Sequence, residues 1–66
     1  MYEVLKKQVE TVIDSFDFVK SEEKKLFDLV VQEYEDCGDD PDEAEIMDII
    51  EIAQASGIKI KEDSNE

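Results

Sequence analysis

Apolar residues recur at every third or fourth position in three separate runs of this chain. A period near 3.6 residues gathers such positions on one side of an α-helix, so each run needs the other two to hide it from water. The first run is Leu5, Val9, Val12, Ile13 and Phe16, with Lys6, Lys7, Glu10 and Asp14 on the other faces. It predicts an amphipathic helix over about 3–16. The second opens where Ser21 can accept a backbone N–H and where Glu22 and Glu23 meet the positive end of the helix dipole. It carries Leu26, Phe27, Val30, Val31 and Tyr34 inward and stops at Gly38, a helix over about 22–36. The third carries the fullest start signal: Asp40 as cap, Pro41 at the first helical position, and Glu43 completing a capping-box-like pair. Ile46, Met47, Ile49, Ile50 and Ala53 form its buried stripe, and Gly57 is placed to end it in a left-handed turn with Ile58 folding back.

The expected fold is therefore all-α, a small three-helix bundle with a short extended C-terminal segment. Phe18 and Val19, between the first two helices, can plug one end of the core. Ile58-Lys59-Ile60-Lys61 alternates as a strand does, but a lone strand has no partner in a helical chain. It reads as an extended segment that packs Ile58, with Ile60 as a second candidate, onto the bundle. One domain over 1–60 and a polar tail over 61–66 account for the sequence, which contains no repeat and no low-complexity tract.

Charge bounds the function more tightly than length does. Seven Lys stand against twenty Asp and Glu, a formal charge of -13 on 66 residues. A chain this short buries only about 60% of its unfolded surface, so self-repulsion on that scale opposes folding, most strongly at low salt. From Leu26 to Ile58 there is no Lys or Arg at all, while eleven acids are interleaved with the apolar stripes. Such a surface repels nucleic acid and most membranes and is suited to a basic partner. The N-terminus lacks the build of a signal peptide, and the longest charge-free run, Ile52 to Ile58, is far below the roughly 20 residues that span a bilayer. A cytoplasmic protein is expected, with Cys37 alone in keeping with a reducing compartment.

The chemistry available is narrow. With no His and one Cys there is no His/Cys zinc set and no Cys-His pair, and no cofactor is expected. Cys37 sits among Glu35, Asp36, Asp39 and Asp40, negative neighbours that disfavour a thiolate, and reads as a small residue at a helix end. The acidic run from Asp36 fails as a calcium loop, because its sixth residue is Pro41 and its twelfth Met47, where an EF-hand needs Gly and Glu. Serines lack an activating His, and the carboxylates belong to solvated faces, so an enzyme is not expected.

What remains is an acidic surface. Asp42, Glu45, Asp48 and Glu51 follow every third residue along the third helix, with Glu43 beside them, and form an outer stripe opposite Ile46, Ile50 and Ala53. Glu35, Asp36, Asp39 and Asp40 add the end of the second helix and the turn. These nine residues are the candidate partner-binding set.

The stretch from Asp42 to Ile60, with its acidic lead-in, Ile-x-Asp-Ile-Ile core (Ile46 to Ile50), Gly57-Ile58 stop and extended exit, resembles the last helix of region 1.1 of bacterial primary sigma factors. Phe18-Val19-Lys20-Ser21-Glu22-Glu23 echoes the segment before that family's middle helix, although the middle helix here is longer. In the family this acidic helical domain heads a much longer chain and occupies the DNA channel of RNA polymerase until promoter DNA displaces it. The resemblance implies a free-standing decoy for a basic nucleic-acid cleft, RNA polymerase first, of the kind phages encode against host machinery. The rival expectations are a helical interaction module, adaptor or antitoxin-like, using Tyr2, Phe18 or Val31 in an apolar groove, and a homodimer formed through Val4 and Leu5 of the first helix.

Overall fold

A computed structural model of the chain describes residues 2–61, and residues 62–66 of the expected tail lie outside it. Three helices form the body: α1 over Glu3–Ser15, α2 over Glu23–Asp36 and α3 over Ile46–Ala55. Short 3-10 turns precede the second and third, Lys20–Glu22 and Pro41–Glu43. The core joins Leu5, Val9, Val12 and Ile13 of α1 to Leu26 and Val30 of α2 and Ile49 and Ala53 of α3, closed by Phe18, Ala44 and Ile58. No polar or charged residue is buried among the described residues, so the core itself is held by apolar contact.

All three helices stop in the same way. A residue with positive φ follows each C-cap, Asp17 (61°), Gly38 (80°) and Gly57 (73°). The next N–H then reaches back to a carbonyl five residues earlier: Phe18 to Ile13 at 3.1 Å, Asp39 to Tyr34 at 2.8 Å and Ile58 to Ala53 at 3.0 Å. These 6→1 bonds satisfy carbonyls that a helix end leaves without partners. Two of the three folds back deliver a core residue, Phe18 and Ile58. Both glycine stops agree with the sequence expectation, and Asp17 does the same work without being glycine.

Two helix starts differ from expectation. Ser21 lies inside a 3-10 turn and caps nothing, and α2 begins at Glu23 with no side-chain cap. Asp40 and Pro41 do open a helical turn, with Asp40 Oδ1 accepting from the Asp42 N–H at 3.0 Å, but it is the 3-10 turn Pro41–Glu43. Ala44 and Glu45 are then extended, and α3 starts at Ile46. In an unbroken helix Ala44 would sit about 140° around the axis from Ile49, facing water. The extended pair turns Ala44 into the core at 2% exposure, with Pro41 also buried.

Side-chain placement corrects several further expectations. Phe16 and Met47 are exposed rather than buried, at 47% and 71%, whereas Phe18, a candidate for a surface groove, is core at 3%. Leu29 and Ile52, outside the expected stripes, pack against the core's edge. The C-terminal segment does find a partner. Ile60 forms an antiparallel bridge with Phe18, the Val19 N–H bonds the Lys59 carbonyl at 2.9 Å, and the Lys61 N–H bonds the Asp17 carbonyl at 2.6 Å. Lys61 thus belongs to the folded unit by its backbone, while the Ile60 side chain stays outside at 57% exposure.

Candidate acidic interface

Three side-chain hydrogen bonds draw the acids to one end of the bundle. The Tyr2 hydroxyl, just before α1, donates to Glu35 Oε2 at 2.8 Å in the last turn of α2. The Tyr34 hydroxyl, also late in α2, donates to Asp48 Oδ2 at 3.0 Å in the first turn of α3. The Leu5 N–H donates to Asp42 Oδ1 at 2.8 Å, so a residue of the 3-10 turn caps α1 from 37 positions away. A helix start offers unpaired N–H groups and a positive dipole end, and a carboxylate there satisfies both. The start of α1, the end of α2 and the start of α3 are brought together by these contacts.

The nine candidate acids therefore share one end but do different things. Asp42, half-buried, caps α1 while its own N–H is held by Asp40. Glu35 and Asp48 anchor tyrosines. Asp36 ends α2 and Asp39 follows its stop, both exposed; Glu43 and Glu45 are exposed on the lead-in to α3, and Glu51 is exposed in its second turn. Only Asp48 and Glu51 lie on α3 itself, so the expected unbroken helical stripe is split by the extended pair at Ala44 and Glu45. Glu3, in the first turn of α1, joins the same end and was absent from the sequence-derived set.

The tyrosines were the missing organisers. A tyrosine on an apolar stripe carries a hydroxyl that needs a partner, and an acid-rich neighbourhood supplies one. The phenol of Tyr34 is pushed up to about 12 by burial first, then by its bond to Asp48 and by the charges of Asp48, Asp39 and Glu45. Tyr2 is raised as well, first by its bond to Glu35, then by burial and by Glu35, Asp40 and Asp42. Both are therefore neutral donors at physiological pH.

Lys6 and Lys7 stand in the first half of α1, near this end, but among the described residues neither forms an ion pair there. The two ion pairs among the described residues are Lys20–Glu23 at 3.5 Å and Lys24–Asp28 at 3.3 Å, both open to solvent on at least one side, in the first half of α2 and the turn before it. Pairs of that kind contribute little to stability. Cys37 is exposed and is the C-cap of α2. No group of three or more potential metal-ligating side chains is assembled among the described residues, and no helix there is long and apolar enough to cross a membrane. Comparison with protein-family models, with curated proteins and with solved structures finds no match to the chain.

Proposed function

We propose that the acidic end binds a basic nucleic-acid-binding cleft and hinders the nucleic acid from entering, with bacterial RNA polymerase as the favoured target. The protein acts by occupancy, without catalysis or a cofactor, in the cytoplasm. The observation that carries this reading is the fixed geometry of the acids. Tyr2, Tyr34 and the Leu5 N–H hold Glu35, Asp48 and Asp42 in place, and the exposed Asp36, Asp39, Glu43, Glu45 and Glu51 surround them. Charge held on a scaffold loses less freedom on binding than charge on a disordered tail, so more of the attraction reaches the affinity. The resemblance of Asp42–Ile60 to sigma region 1.1 supports the choice of target.

The test measures binding to purified bacterial RNA polymerase core with and without competing duplex DNA. Affinity is expected to fall about tenfold or more between low and high salt, and DNA is expected to compete. Replacing Asp36, Asp39, Glu43 and Glu51 by Asn or Gln, which leaves the three anchoring bonds intact, is expected to weaken binding as strongly. Binding indifferent to both salt and these substitutions would sink the proposal.

A further inference from the structure

One surface of this protein carries no charge, and its position is set by contacts on either side of it. On α1 the Tyr2–Glu35 bond and a groove of about 520 Å³ between Lys6 and Val9 and α2's Lys24 and Phe27 place α2 on one flank. The Gln8 amide nitrogen donates to the Ala44 carbonyl at 3.4 Å, which places the lead-in of α3 on the other flank. On α3 the Tyr34–Asp48 bond marks the flank facing α2. The opposite flank, toward α1, carries Met47, Ile50 and Gln54 at intervals of three and four. The outer edge of α1 on that side carries Val4, Gln8, Thr11 and Ser15, again at intervals of four, three and four. The two helices run in the same direction, since Asp42 and Ala44 lie against the first half of α1 and Ile60 bridges to Phe18 beyond its end.

In a chain with 41% charged residues, the seven positions named along this seam contain none. Val4 and Met47 are two of the four large apolar residues exposed among the described residues, at 53% and 71%. The Thr11 hydroxyl is turned back onto the Lys7 carbonyl at 3.0 Å, so covering it leaves no unmet donor. Glu3 and Asp14 with Lys7 border the strip on α1, and Glu51 borders it on α3, all exposed. A neutral, partly apolar strip with a mainly acidic rim is what an amphipathic helix with flanking cations can cover without burying a charge. A second copy would bring another -13 to the contact.

We infer that the α1–α3 seam is a docking surface for a basic amphipathic helix of a partner protein; it borrows Glu3 and Glu51 from the edge of the acidic end, but it does not rest on the cleft reading. From Val4 to Ser15 the strip is about 16 Å long at 1.5 Å per residue, matching some three turns of a partner helix. The partner's apolar stripe lies over Val4, Met47 and Ile50, and its Lys or Arg side chains reach Glu3, Asp14 and Glu51.

The probe is a synthetic 14-residue Leu/Lys peptide with one leucine face, followed by amide chemical shifts, beside a peptide of equal charge with its leucines scattered. The amides of Val4, Gln8, Thr11, Ser15, Met47, Ile50 and Gln54 are expected to shift with the first peptide and far less with the second. Val4→Ser with Met47→Ser, a pair at exposed positions that leaves charge unchanged, is expected to weaken binding about tenfold, while D36N/D39N changes it less than about twofold. Thermal unfolding of the serine variant verifies that it folds. Three outcomes would overturn the assignment: equal shifts with both peptides, binding that survives the serine pair, or sedimentation showing a dimer that the serine pair abolishes.

Discussion

A carboxylate in this molecule cannot be valued by its charge alone. Asp42 and Asp39 are three positions apart and both acidic, yet Asp42 Oδ1 holds the Leu5 N–H, while the hydrogen bond made by Asp39 comes from its backbone. Replacing Asp42 by Ala is expected to lower stability by about 1–2 kcal/mol in chemical denaturation, the usual loss for a helix cap. Asp39→Asn should leave stability unchanged or raise it slightly by easing repulsion. Tyr34 makes a second prediction at this scale. Its folded-state pKa of about 12 lies above the ordinary 10.0, so the neutral phenol's contribution is complete below pH 10 and fades as pH rises through 12. Alkaline titration followed by circular dichroism should show stability falling across that window, and Tyr34→Phe should flatten the fall. The acids were countable in the sequence, and Tyr34 was legible as an inward-facing residue. Their pairing was not, because Tyr2–Glu35 and Leu5–Asp42 join positions 33 and 37 apart.

At the level of elements, helix ends explain what could and could not be read. Gly38 and Gly57 were legible because a left-handed residue is a local demand that glycine meets with least strain. Asp17 hides the same turn behind a residue that rarely adopts it, and it also places a negative charge at the negative end of α1. Asp17→Gly is therefore expected to stabilise the fold by about 0.5–1 kcal/mol, and Gly57→Ala to destabilise it by about 1 kcal/mol, read as shifts in thermal midpoint. An added Cβ at Gly57 meets nothing within 4 Å, so that cost is conformational and not steric. The third helix was misplaced for a complementary reason. Asp40 and Pro41 are a true start signal, but the chain uses it for a 3-10 turn whose middle residue, Asp42, caps α1. That interruption serves contacts with a helix 37 positions away, which local sequence does not encode.

Over the whole molecule, the uneven spread of charge matters more than its total. Both ion pairs sit in or just before the first half of α2, and Lys59 and Lys61 lie beside the turn that leaves α1, whereas the start of α1, with Lys6 and Lys7, meets the acids without an ion pair among the described residues. Self-repulsion is thus concentrated at the acidic end, and adding monovalent salt from about 10 mM to 150 mM is expected to raise the thermal midpoint by several degrees, as the Debye length falls from about 30 to 8 Å. A midpoint indifferent to salt would mean that the acids lie too far apart to repel.

The pairing of 17–19 with 59–61 has a practical corollary for anyone attaching something to this chain. Tyr2 touches Glu35 at the acidic end, while the Lys61 N–H is fastened to Asp17 past the far end of α1. Thirteen helical residues, about 20 Å, separate the two attachment points. A fluorophore or reporter joined directly after Lys61, in place of 62–66, stands away from the Tyr2–Glu35 end, whereas one joined before Tyr2 crowds it. The same cargo on the two sides would make a direct ruler for which end of the molecule a partner approaches.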